Sequence, residues 1–286
     1  MKNYAALIMD LKKSRAYASK DRNEIQEYII HVISVLNHVF DNALKKQVSF
    51  SAGDEVQGLF SCVEAAYLYF RLFSMLISPV EIRAGIGVGG WEVRIDDAGS
   101  TAQDGTAYHR ARYAIEATEE SLGYSVLLFS GGENDIVVNS LFNATALLIN
   151  KQSQYQNEVM LLSELLFPIN AYGIIDTCGL REIIELIGHK NDVVRYDFFK
   201  VNKGKHGPLF YRIKNFDFES QPRDAINDDD SFFVVAGRVR GLPMLLAEII
   251  GVTRQSISKT IKAANIYEAR NIAVTTLRYL KKLGEE

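Results

Sequence analysis

The chain has 286 residues, 48% hydrophobic and 23% charged, with a formal net charge of −3. This length buries an ordinary core in one large domain or two smaller ones, and the composition excludes disordered, collagenous and disulfide-stapled classes. No apolar run approaches the ~20 residues of a membrane span, no secretory leader opens the chain, and Cys62 and Cys178 make neither a disulfide framework nor a metal spacing, so the expected location is the cytoplasm.

Residues 3–10 are a continuous apolar run ending in Asp10, which predicts a buried strand. Residues 21–44 carry Ile25, Ile29, Leu36 and Phe40 at helical spacing, with Asp21 placed to cap the start. Residues 48–52 and 55–60 read as two strands around a Gly53-Asp54 turn, where glycine permits the backbone angles a tight turn needs. A helix is predicted over 63–77, a strand over 81–87 running toward another at 91–95, a loop to 101, a helix over 106–120 and a strand over 124–129. The order β-α-β-β-α-β-(β)-α-β suits a ferredoxin-like palm with split βαβ units. Gly131-Gly132 break the chain, so residues 1–130 are read as one domain.

Residues 131–240 turn helical, with helices expected at 135–150, 154–167 and 180–188. A turn signal at Lys203-Gly-Lys-His-Gly-Pro208 and a polar stretch over 215–231 follow. Residues 155–214 contain the elements of a degenerate winged helix with 203–206 as its wing. The expected fold class is α+β: a palm followed by an all-α helix-turn-helix region at 241–286.

That last segment carries a recognisable pattern. Leu245-Leu-Ala-Glu-Ile-Ile-Gly251 predicts a first helix, Gly251-Val252-Thr253 a turn, and residues 254–264 a recognition helix capped by Thr253. Leu246, Ala247, Ile250, Val252, Ile257 and Ile261 are the apolar positions that lock the pair. Thr253, Arg254, Gln255, Ser256, Ser258 and Lys259 point outward; Arg and Gln suit guanine and adenine edges, and Ser, Thr and Lys suit phosphates. From Arg240 to the end, eight lysines and arginines face four glutamates, an excess of +4 that leaves −7 on the rest. A basic module on an acidic body fits DNA as a partner. The helix over 267–283 either pairs with itself in a homodimer, setting two recognition helices at half-site spacing, or packs on its own domain.

At the other end, a tight hairpin beside the first strand brings Asp10 and Asp54 together. Clustered carboxylates repel unless a proton or cation lies between them, and hard oxygen ligands suit Mg²⁺, which arrives with phosphates. Glu55 is read as exposed or hairpin-stabilising rather than as a ligand. Gly85-Ile-Gly87-Val-Gly89-Gly90 is not a dinucleotide fingerprint, because no helix pattern follows; glycines in a strand mark close backbone approach. The five histidines show no metal spacing, and no Walker A sequence or nucleophile elbow is present.

The sequence resembles the palm of class III nucleotide cyclases and GGDEF-type diguanylate cyclases, and is closer still to the SatD family, which joins such a palm to a helix-turn-helix. The resemblance lies in Asp10-Leu-Lys-Lys-Ser14, Gly53-Asp-Glu-Val-Gln-Gly-Leu-Phe60, Ile82-Arg-Ala-Gly-Ile-Gly-Val-Gly89, Asp104-Gly105 with Arg112, and residues 246–264. It implies Asp10 and Asp54 as ligands of Mg²⁺ or Mn²⁺, and a phosphate loop at Leu11, Lys12, Lys13 and Ser14. It also implies Arg112 as a phosphate contact. Two positions depart from the cyclase pattern: Tyr108 replaces an asparagine and Phe50 replaces the base-reading lysine. Phe50 is read as a core aromatic, with base stacking as the alternative.

The implied function is a DNA-binding regulator whose palm takes a metal-complexed nucleoside triphosphate or related phosphate ligand. The alternatives are a nucleotidyl cyclase or nucleotide-polymerising synthase with an accessory helix-turn-helix, and a palm that binds nothing and serves as a dimerisation scaffold.

Overall fold

A computed structural model of the chain describes residues 2–12, 19–51, 53–78, 80–121, 123–193, 223–224 and 232–285. Strand β1 (Tyr4–Leu11) is the centre of a five-stranded sheet. Its neighbours are β3 (Glu55–Phe60) and β4 (Ile82–Gly89), both antiparallel to it. Strand β2 (Leu44–Phe50) pairs with β3 at one edge, and β5 (Val126–Phe129) lies parallel to β4 at the other. The spatial order β2-β3-β1-β4-β5 is the split βαβ arrangement with one further parallel strand.

Alternation along β1 decides which helices lie where. Ala5, Leu7, Met9 and Leu11 share a buried core with α1 (Ser19–Val39) and α2 (Val63–Ile77). Tyr4, Ala6 and Ile8 face α3 (Thr106–Glu120), packed with Ala107, Ala111 and Ile115. Gly85 and Gly87 stand opposite Ile8 and Ala6 on that face. A Cβ on Gly85 would lie 2.2 Å from the Ala111 carbonyl, and one on Gly87 2.1 Å from the Ala107 carbonyl. Strand glycines and helix alanines therefore let two backbones touch, as expected of glycine in a strand.

The core does not stop at Gly131-Gly132. Helix α4 (Asp135–Ile149) lies against β5 and stacks Phe142 on Tyr67 of α2, with ring centroids 4.8 Å apart. Beyond it come α5 (Gln154–Leu166), opened by a Ser153–Gln156 capping box, and α6 (Leu180–Val193). Two-residue strands β6 (Ile169–Asn170) and β7 (Arg223–Asp224) pair in parallel. The C-terminal region is α7 (Leu242–Ile250), α8 (Arg254–Ala263) and α9 (Ile266–Glu285). Ala269, Ala273, Val274, Leu277 and Leu280 of α9 are buried, and α9 packs against α2 and α4 of its own chain.

Element bounds differ from expectation in several places, among them β2, which starts at Leu44 rather than 48, and α6, which runs to Val193 rather than 188. Helix α1 ends at Val39 rather than near 44: the chain turns at Phe40–Ala43, and Leu44 enters β2 opposite Phe60. Leu44 continues the four-residue spacing from Phe40, so an edge-strand residue mimics a helical one. Residues 91–95 make a single bridge, Val93 to Asp104, instead of a strand. The wing expected at 203–206, the turn at 203–208 and most of the polar stretch at 215–231 lie outside the described residues. No described helix is long and apolar enough to cross a membrane.

Candidate functional site

The antiparallel register puts Asp10 opposite Glu55 on one side and Arg83 on the other. Directly opposed residues share a face, so all three stand on the α3 side of the sheet. Arg83 Nε donates to Asp10 Oδ2 at 2.7 Å, and the same guanidinium pairs with Glu119 of α3. Arg112 Nη2 donates to Glu55 Oε1 at 2.7 Å while Nη1 reaches Oε2, a two-point contact. Ser51 Oγ donates to Glu55 Oε1 at 2.8 Å.

The two carboxylates are pushed in opposite directions. Burial raises the Asp10 pKa, Arg83 works against that, and the charges of Asp54 and Glu55 raise it further. Arg112 holds Glu55 below the ordinary carboxylate value, with burial opposing and Ser51 assisting. Asp54 sits half-buried at the hairpin turn, next to Gly53, whose φ of 63° is left-handed. Three of the expected residues, Asp10, Asp54 and Arg112, are thus gathered at one end of the palm.

The others divide. Leu11 is buried in the core on the α1/α2 side. Lys12 is half-buried, and its N–H donates to the Glu81 carbonyl at 2.8 Å. Lys13 and Ser14 lie outside the described residues. Tyr108 is buried, its hydroxyl 3.0 Å from Ser100 Oγ, and Phe50 packs on the core. Sequence reasoning missed Arg83 as the partner of Asp10 and Glu55 as the partner of Arg112. The alternation of β4 was the available signal, since it sets Arg83 on the face of Gly85 and Gly87.

Among the described residues no group of three or more His, Cys, Asp or Glu side chains is arranged to hold a metal ion. The chemistry present fits a divalent cation in a narrower way. Asp10 and Asp54 are hard oxygen donors, close enough for the charge of Asp54 to be felt at Asp10. Phosphate and water oxygens would complete the shell, as is usual for Mg²⁺.

A second polar assembly lies between the palm and the C-terminal helices. Arg71 of α2 and Arg270 of α9 both pair with Glu164 of α5, and none of the three is more than 3% exposed. Arg270 also donates to the carbonyls of Phe167 at 2.6 Å and Gly237 at 3.1 Å. Burial pushes the Glu164 carboxyl up, and the guanidiniums, Arg270 first, bring it below its ordinary value.

The helix-turn-helix is built as its residues dictate. Gly251 (φ 73°) ends α7 with its N–H on the Ala247 carbonyl, and Thr253 Oγ1 accepts from Ser256 N at 3.1 Å to start α8. Ile257 and Ile261 are buried, while Thr253, Arg254, Gln255, Ser256, Ser258 and Lys259 are all exposed on one continuous face. Gln152, just before α5, donates to the Ala264 carbonyl at the end of α8 at 2.9 Å.

The SatD family model matches residues 4–172. No curated protein matches the chain. Among solved structures, a bacterial light-regulated adenylyl cyclase is similar with 13% identity and a TM-score of 0.32, over 44% of this chain and 74% of that one. A likeness that weak carries no argument.

Proposed function

This chain belongs to the SatD family, and on that premise we propose that it is a ligand-responsive regulator. Its palm binds a metal-complexed nucleotide or related phosphate compound, and its helix-turn-helix meets DNA. The observation that carries the reading is the acidic end of the palm, where Asp10, Asp54 and Glu55 adjoin Arg83 and Arg112. A cation would be held by Asp10 and Asp54 and would supply positive charge toward phosphate oxygens. Arg112 is the chain's own phosphate cation and leaves Glu55 to act.

Regulation is favoured over turnover by two side chains. Phosphoryl transfer depends on groups that position and stabilise the transferred phosphoryl. At the positions where cyclases carry asparagine and lysine, Tyr108 is tied to Ser100 and Phe50 packs on the core. The exposed face of α8 offers the donors that base edges and phosphates require, on the basic part of an acidic chain. A homodimer would place two such helices on adjacent half-sites, through a surface other than the buried face of α9.

The test is calorimetric titration of mixed nucleoside triphosphates with Mg²⁺ or Mn²⁺, followed by mass spectrometry of the same mixture. The expected result is saturable binding, weakened at least tenfold by Asp54→Asn, with the nucleotides recovered unchanged. Equal binding by wild type and variant would remove Asp54 from the site. A cyclic or oligomeric product made by the wild type would turn the regulator into an enzyme.

A further inference from the structure

On the opposite face of the sheet from Asp10, a cavity of about 500 Å³ lies between α2, α4 and the start of α5. This is the size of a small-molecule site. Phe142 and the ring of Tyr67 stacked on it form an apolar wall, and the buried Tyr67 hydroxyl interacts with Arg71. Arg71 lines it too, at 3% exposure. One nitrogen of Arg71 serves Glu164, a carboxylate it shares with Arg270. Its Nε and Nη1 are buried and make no hydrogen bond of good geometry among the described residues, with the Tyr67 hydroxyl as the oxygen beside them, and Oε1 of Gln152 in the lining is likewise unsatisfied. Half-buried Lys12 and exposed Glu81 stand in the lining where β1 ends and β4 begins.

Leaving buried donors without acceptors is unfavourable, most of all on a charged group, so a native fold that keeps them has an acceptor for them. We infer that this cavity is a ligand site for a small organic anion, a carboxylate or a phosphate monoester. The anionic group is received by Arg71 and the apolar body lies against Tyr67 and Phe142. Lys12 adds to the attraction, Glu81 restrains the charge the site accepts, and Gln152 offers an acceptor to a hydroxyl or amine on the ligand. The site takes Lys12 from the loop that the resemblance reads as a phosphate loop, but it lies across the sheet from Asp10 and does not rest on nucleotide binding there. Its walls come from the palm and from α4 and the start of α5, and α5 packs against α7 and α8.

The probes are benzoate and phenyl phosphate, one for each anion class, titrated into the full chain and followed by saturation-transfer NMR. At least one should bind saturably. Affinity should fall at least tenfold in Ala146→Phe, which fills the cavity from a half-buried position on α4 outside the Arg71–Glu164–Arg270 cluster. It should fall similarly in Arg71→Met. Binding by benzoate alone assigns a carboxylate, and by phenyl phosphate alone a phosphate. Saturation by neither probe, or binding that survives Ala146→Phe, would overturn the site and leave a cavity filled by water. Should Arg71→Met fail to fold, the Ala146→Phe arm decides.

Discussion

Arg112 and Glu55 are a stability element beside their place in the proposed site, and pH probes the pair. The folded pKa of Glu55 is depressed below its ordinary 4.5. The pair therefore contributes stability that is fully present above about pH 4.5 and is lost as pH falls through the folded value. Asp10 runs the other way: its pKa is raised above 3.8, so ionising it costs stability as pH climbs past that point. Arg112→Ala should lower stability at neutral pH by less than about 1 kcal/mol, because the guanidinium stays partly solvated. Urea midpoints at neutral pH and near pH 3 check this. The gap between wild type and variant should shrink on acidification, and an unchanged gap would contradict the assignment. At this scale Asp10 and Asp54 were legible because strand and hairpin spacing bring them to one end, whereas Arg112 came only from the resemblance to cyclases. For Arg83 the alternation of β4 could give the face but not the partner, because cross-strand register sets Asp10 opposite it.

Elements were read from periodicity, and they were legible where one period dominates. Helix α2 (63–77) and helix α3 (106–120) stand where the apolar spacing places them. The end of α1 was hidden by Leu44, and the single bridge at Val93 by the strand-like alternation of Trp91, Val93 and Ile95 with charged residues. The glycines of β4 were legible as close-approach positions, though not what approaches. Gly87→Ala should destabilise by about 1–3 kcal/mol, since the helix α3 backbone must move to admit a methyl group. Gly99→Ala, where nothing lies within 4 Å of the added carbon, should be near neutral. Urea unfolding of the two variants distinguishes them, and equal effects would contradict direct backbone contact at Gly87.

Across the whole molecule, the buried Arg71–Glu164–Arg270 cluster joins three stretches that the sequence presents as separate. Arg71 and Glu164 are 93 residues apart, and no composition or spacing rule links side chains at that distance. Removing one partner of a buried ion cluster typically costs about 3–5 kcal/mol, because charge is left without compensation. Glu164→Gln should therefore lose stability of that order in a single cooperative transition, seen together by sheet and helix probes. Two separated transitions in the wild type would contradict a shared core. This continuity makes signalling from palm to helix-turn-helix physically reasonable: a ligand can shift α8 to the extent that it binds two arrangements of the core unequally.

The most direct test measures the affinity of the protein for a duplex selected from a random DNA pool, at fixed salt, with and without a nucleoside triphosphate mixture and Mg²⁺. The account predicts an affinity that changes severalfold when nucleotide and Mg²⁺ are added to the wild type. It predicts no change in Asp54→Asn, and loss of binding with a shallower salt dependence in Arg254→Ala/Lys259→Ala. An affinity that is the same with and without nucleotide, or a selection that yields no duplex at all, would contradict it.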